Sequence, residues 1–150
     1  LLAKGVDGLF LDNVDMVATH PAERRGMEAL VRRLDRLLGA RRVLMAQNGD
    51  EAMRRFLPYL DAWNREDVTS TYDFDRRRYV RVPAADHAAA LRFLRRIAAR
   101  GLLVTATDYT ARDDAAGVAA SVAAACSTPA LPYVADIALR RLPAEPFRCP

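Results

Sequence analysis

The chain has 150 residues, 51% of them hydrophobic, which is enough to build one packed core. Its net charge is +4, yet Lys4 is the one lysine among 23 basic residues. Such an Arg and Ala bias reflects the base composition of a gene better than a nucleic-acid footprint. No apolar run reaches the roughly 18 residues that would read as a membrane span.

Leu1-Leu2-Ala3-Lys4-Gly5 reads as the last turn of a helix closed by a glycine. The run Leu9-Phe10-Leu11 is short, β-prone and bounded by Gly8 and polar residues, as a buried parallel strand should be. Asp12 follows at once, where a strand of an α/β barrel ends and its active-site loops begin. Asn13 and Asp15 flank it as candidate substrate contacts; the competing role for these carboxylates is to cap the next helix. His20-Pro21 opens a helix to Leu38, with Met27, Leu30, Val31, Leu34 and Leu38 at helical spacing and Gly39 closing it.

A second strand, Val43-Leu44-Met45-Ala46, ends in Gln47-Asn48-Gly49, and a short helix with Met53, Phe56 and Leu57 stops at Pro58. Tyr59 to Asn64 forms a third strand leading into a loop, Arg65-Glu66-Asp67. Val68 to Pro83 reads as a long polar loop, and loops beyond about 12–15 residues are usually lids or binding loops. Tyr72 is its candidate lid residue, and Arg76 to Arg78 its solvated face. A helix from Ala84 to Arg100 buries Leu91, Leu94, Ile97 and Ala98 and ends at Gly101. The strand Leu102 to Ala106 then delivers Thr107-Asp108-Tyr109, a helix spans about Asp114 to Ala125, and Ala130 to Ala135 is the last strand. The Pro-rich tail is expected to hold a short helix and coil.

Strand and helix thus alternate about five times, which means a parallel sheet, doubly wound or closed as a barrel. Neither Gly-x-Gly-x-x-Gly nor Gly-x-x-x-x-Gly-Lys is present, so a nucleotide-binding open sheet loses support. Polar groups at every strand end fit a (β/α)8 barrel, the TIM-barrel fold, and a whole one needs roughly 250 residues. The expectation is therefore that residues 1–150 are the C-terminal five or so units of one barrel domain, with the N-terminal strands outside the sequence. An open set of strands leaves sheet edges unpaired, so the chain alone is expected to aggregate or fold only partly.

Arg24, Arg25, Arg32, Arg33, Arg36, Arg92, Arg95, Arg96 and Arg100 fall on helix faces. Asp12, Asp15, Asp50, Glu51, Glu66, Asp67 and Asp108 fall at or after strands. A basic outer ring and an acidic mouth would attract a cationic or polyhydroxylated ligand and repel nucleic acid. Cys126 and Cys149 lack metal-ligand spacing and are either thiols or a disulfide pair. His20 and His87 have no metal partners in sequence and read as structural, so neither a metal nor a cofactor is expected.

Four blocks in order carry a resemblance: Gly-Val-Asp-Gly-Leu-Phe-Leu-Asp-Asn-Val-Asp from Gly5, Ala46-Gln47-Asn48-Gly49, Asn64-Arg65-Glu66-Asp67-Val68 and Thr107-Asp108-Tyr109. Together they resemble glycoside hydrolase family 114, the endo-α-1,4-polygalactosaminidases, over most of residues 5–132. The resemblance implies a barrel with catalytic Asp12 and Glu66 acting on α-1,4-linked galactosamine-containing polysaccharide. It also implies an extracellular or envelope location, because long polysaccharides are met outside the cytoplasm. The family's first three strands have no counterpart in this sequence.

Glycoside cleavage needs two carboxyls across the scissile bond, held about 5–5.5 Å apart in retaining enzymes. One must stay ionised and the other protonated, so their surroundings must differ. Asp12, on a rigid strand end, suits the nucleophile and Glu66, on a looser segment, the acid/base, with the reverse assignment of the two roles left open. Asn48 and Asn64 offer donors and acceptors to sugar hydroxyls, Tyr109 a face for stacking, Asp108 and Asp15 further polar contacts, while Trp63 reads as core. The alternative function is a carbohydrate-binding pseudoenzyme, or an inactive truncated remnant of such a hydrolase.

Overall fold

The computed structural model describes residues 2–50, 52–140 and 142–149. Five strands form a parallel sheet, β1 (Gly8–Leu11), β2 (Val43–Gln47), β3 (Ala62–Glu66), β6 (Leu103–Tyr109) and β7 (Leu131–Ala135), in that order. The order is open, with β1 and β7 each having one strand neighbour among the described residues. By contacts the chain divides into two compact units, Leu1–Asn64 and Arg65–Pro150.

In the first unit, β1 and β2 pair in parallel with Gly8 opposite Val43 and Phe10 opposite Met45. A Cβ on Gly8 would lie 2.2 Å from the Val43 carbonyl oxygen, so only glycine lets the two backbones approach. A short helix α1 (Met16–Thr19) is followed by a 3-10 turn at Pro21–Glu23 that leads into α2 (Arg24–Leu38). Val31 and Leu38 of α2 are buried, while Leu30 is half exposed. Gly39 ends the helix at φ 62. Past β2, α3 (Met53–Phe56) gives way to a 3-10 turn, Leu57–Tyr59, as Pro58 requires. The N-terminal turn ahead of β1 is also 3-10, Leu2–Lys4, with Gly5 at φ 77.

The structure corrects two readings. Residues expected to be a lid loop form an antiparallel hairpin, β4 (Ser70–Asp73) and β5 (Arg78–Arg81), with Tyr72 opposite Tyr79. Its turn carries no Gly, Pro or Asn; instead Asp73 Oδ1 accepts from Arg76 N–H at 2.9 Å and Arg77 adopts φ 51. The third strand of the sheet begins about three residues later than expected, at Ala62, so Glu66 is its last residue and not part of a looser loop. Asp61 stays outside because its carboxylate accepts from Leu44 N–H at 2.8 Å, an edge bond that a strand residue would leave to backbone.

Helix α4 (Ala84–Ala98) buries Ala90, Phe93, Leu94 and Ile97 against the sheet, and Leu91 is only half-buried. Burial of each large side chain of this kind is worth about 1.5–3 kcal/mol. Helix α5 (Ala115–Cys126) is capped by Asp114, whose carboxylate accepts from Gly117 N–H at 2.8 Å. A Cβ at Gly117 would sit 2.2 Å from that carboxylate, so the cap and the glycine come as a pair. Cys126 is joined to Cys149 in a disulfide, tying the end of α5 to the tail. Among the described residues the tail holds no helix, contrary to expectation.

Strand alternation explains the burial. Leu44 and Ala46 on β2, Val104 and Ala106 on β6 and Val134 on β7 are buried. Their alternates Val43, Leu103 and Leu131, with Phe10 of β1, are 46%, 53%, 54% and 53% exposed. Uncovered apolar side chains on paired strands invite association. The 150-residue chain is therefore expected to scatter light as species heavier than 16.6 kDa, increasingly so with concentration. Replacing Val43 and Leu103 by Thr should shift it toward monomer; a wild-type chain that stays monodisperse at 16.6 kDa would refute this.

Candidate active site

Two groups of polar residues stand at the C-terminal ends of the sheet strands, one in each unit. In the first unit, Gln47 lies opposite Asn64 in the register of β2 and β3. Asp12 comes one residue past the last pair of β1 and β2, Leu11 with Ala46, so it stands level with Gln47. A row of hydrogen bonds follows from that register. Asn64 Nδ2 donates to Gln47 Oε1 at 2.7 Å, and Gln47 Nε2 donates to Asp12 Oδ1 at 3.0 Å. The same Asp12 oxygen accepts from Asn13 N–H at 2.7 Å. Two donors thus hold one oxygen in place, and Asp12 is otherwise exposed.

Gln47, part of a motif block but not among the candidate site residues, is the link between Asp12 and the buried Asn64. The available signal was its place as the last strand residue before Asn48-Gly49. Asn64 is 4% exposed, and its carbonyl accepts from Asn48 N–H at 2.9 Å. Asn48 has φ 56 and Gly49 φ 74; a Cβ on Gly49 would come within 3.2 Å of Asp15 N. The Asn-Gly pair therefore brings the loop after β2 against the one after β1. Asn13 and Asp15 are both exposed, and Asp15, at the N-cap of α1, makes no side-chain cap bond. Glu51 lies outside the described residues, and Asp50 is half-buried.

The second unit holds Glu66, Asp67, Asp108 and Tyr109. Glu66 Oε1 accepts from the Tyr109 hydroxyl, and Tyr109 is buried at 7% exposure on the last position of β6. Asp108 is 2% exposed, and its Oδ1 accepts from Thr69 N–H at 2.7 Å and Ser70 N–H at 3.1 Å. The structure thus places Asp108 where it holds the start of the hairpin. Asp67 adopts φ 55, with its N–H donating to Thr107 O at 3.0 Å. Burial pushes its carboxyl above the usual value of 3.8; a Thr71 hydroxyl bond and Arg65 pull it down, while Glu66 and Asp108 push it up. Tyr72 is half-buried in the hairpin, edge-on to Phe74 and Tyr79 with centroids 5.1 and 5.0 Å apart.

His87 Nδ1 donates to Val68 O at 2.6 Å, and His20 Nδ1 sits 2.9 Å from the Thr19 hydroxyl, so both are engaged locally. Trp63 is fully buried. No group of three or more His, Cys, Asp or Glu among the described residues could hold a metal ion. No helix among them is long and apolar enough to cross a membrane.

No family model matches the chain, and neither does any curated protein sequence. Among solved structures the chain is similar to the glycoside hydrolase domain of PelA from Pseudomonas aeruginosa, with a TM-score of 0.79 at 25% identity. The match covers 94% of this chain and 58% of that one. A Glu-to-Ala variant of the same domain gives a TM-score of 0.79 at 24% identity, with the same coverage. The fold is that of a glycoside hydrolase barrel domain in part, and the chain spans 58% of the length of the domain it matches.

The raised Asp67 has a consequence for stability. Unfolded Asp ionises near about 3.9, below the folded group, so the folded state holds the extra proton. That contribution is complete below the unfolded value and is lost as pH rises through the folded one. Asp67→Asn is therefore expected to be more stable than wild type at pH about 7, with the gap closing below about pH 4. Denaturant midpoints at the two pH values measure it, and a pH-independent difference between the two proteins would contradict it.

Proposed function

We propose that this protein is a retaining glycoside hydrolase acting on α-1,4-linked galactosamine-containing polysaccharide, as a member of family 114. The observation that carries the reading is the likeness to the PelA glycoside hydrolase domain across 94% of the chain. Carboxylates where strands end agree with it, since barrel enzymes draw their catalytic groups from there.

Asp12 is the nucleophile. Asn13 N–H and Gln47 Nε2 hold one of its oxygens, and its exposure leaves the second reachable by an anomeric carbon. Glu66 is the acid/base, with its carboxyl oriented by the Tyr109 hydroxyl. It protonates the leaving glycosidic oxygen, then takes a proton from the water that opens the glycosyl-enzyme. Asn13, Asn48 and Asn64 serve sugar hydroxyls, directly or by fixing neighbours. Asp15 supplies a charge for the substrate ammonium, and Tyr72 flanks the sugar from the hairpin.

In a complete homologous barrel, Asp12→Asn and Glu66→Gln should each lower kcat/KM on galactosamine-rich polymer by about 10³-fold, with the circular dichroism unchanged. Proton NMR of the first products should show the α anomer. Full activity in either variant removes that residue from the pair, and a β product removes the retaining mechanism.

The polymer is met outside the cytoplasm, so the protein belongs in the extracellular space or the envelope. The Cys126–Cys149 disulfide supports this, because such bonds persist in oxidising compartments. Protein taken from its host and alkylated before reduction should carry no label on either cysteine. Label on both would argue for a reducing compartment.

A further inference from the structure

The hairpin of the second unit carries a row of three aromatic rings, of which the mechanism above uses Tyr72 alone. Tyr72 and Tyr79 are opposite each other in the β4–β5 register, both half-buried, with ring centroids 5.0 Å apart and edge to face. The Phe74 ring continues the row, edge-on to Tyr72 at 5.1 Å. Phe74 is 72% exposed, more than any other aromatic side chain among the described residues. An edge-to-face contact uses one edge of a ring and leaves its faces to other partners.

The row is fixed at its base. Thr69 N–H and Ser70 N–H donate to Asp108, and the next residue on β6, Tyr109, donates to Glu66. Ile137 N–H donates to the Tyr79 hydroxyl at 3.2 Å, which ties the second ring to the segment after β7. At the tip, Asp73 accepts from Arg76 N–H and pairs with the Arg76 guanidinium at 3.5 Å. Phe74 is therefore presented on an ordered hairpin whose base adjoins the Glu66–Tyr109 pair. Its sequence neighbours are Asp73 and Asp75, whose carboxylates repel a phosphate, accept from a hydroxyl and attract an ammonium.

We propose that Phe74, backed by Tyr72 and Tyr79, is a stacking platform that binds a sugar ring of the galactosamine-containing chain away from the bond being cleaved. A pyranose of galacto configuration has its axial hydroxyl on one side, which leaves a patch of C–H bonds on the other. Those bonds are weakly positive and match the negative face of an aromatic ring. The flanking carboxylates take hydroxyl or ammonium hydrogens at the rim of the same sugar. The choice of sugar rests on the hydrolase reading, and the platform adds to it a hold on the polymer that a short substrate does not reach.

The test is isothermal titration of the 150-residue chain with an α-1,4-linked galactosamine hexasaccharide, with circular dichroism to check that each variant folds. Phe74→Ala should weaken binding about threefold to tenfold, Phe74→Leu about as much, and Phe74→Trp should restore it, because the ring and not its apolar area is what binds. A wild-type chain that binds no hexasaccharide, or a Phe74→Ala chain that binds it as well as wild type, overturns the proposal. So does a fall in light-scattering mass in Phe74→Ala at unchanged sugar affinity, which would make the occupant a second copy. A DNA oligonucleotide preferred to the hexasaccharide, and lost in Arg77→Ala, would make it nucleic acid and overturn the proposal too. In a complete homologous barrel, Phe74→Ala should raise KM for the polymer by the same factor with kcat held, a split that a merely structural residue would not give. Cleavage with KM unmoved would remove the platform and leave the hydrolase reading. Binding that depends on Phe74 in a barrel that never cleaves the polymer would do the reverse.

Discussion

The parallel register of β1, β2 and β3 is the constraint on which the first polar group depends. Because side chains alternate faces along a strand, a slip of one residue would turn Gln47 away from both Asp12 and Asn64. Glycine at position 8 allows the close backbone approach at the far end of this pairing. The buried Leu44 and Ala46 then hold the opposite face of β2. Packing on one face thus fixes the hydrogen-bonded row on the other.

Three polar strand ends, those of β1, β2 and β3, lead into a residue in the left-handed region: Asn13 at φ 57 after Asp12, Asn48 at φ 56 after Gln47 and Asp67 at φ 55 after Glu66. Asn and Asp tolerate that conformation better than other non-glycine residues. The turn leaves the preceding side chain on the strand and sends the backbone away at once. A carboxylate so placed keeps the rigidity of the sheet while sitting at its rim. The recurring acid-or-amide followed by Asn or Asp therefore has a backbone cause as well as a chemical one.

This explains what could be read from sequence. Strand ends at Asp12 and Gln47, helix stops at Gly39 and Gly101 and the buried Trp63 follow from local patterns that tertiary structure had no reason to override. The hairpin was hidden because its turn uses Asp73 and Arg77 in place of Gly or Asn, and because Ser70, Thr71, Asp73, Arg78 and Arg81 give its strands a polar, loop-like composition. The start of β3 was misread because Leu60 is as apolar as a strand residue, although the Asp61 carboxylate takes the edge bond from Leu44 N–H. The disulfide could not be chosen over free thiols, since the 23-residue separation carries no pairing information.

Asp67 and Asp108 show how two nearby acids with similar sequence signals acquire different roles. Each stands at or just beyond a strand end, and each is followed by a residue with a β-propensity. Asp108 has its oxygen bonded by consecutive backbone N–H groups of Thr69 and Ser70, so it holds the start of the hairpin. Asp67 has an enclosed oxygen with no donor among the described residues, and burial opposes its charge. If stability alone had shaped the site, Asn at position 67 would have served, keeping the left-handed turn without the buried charge.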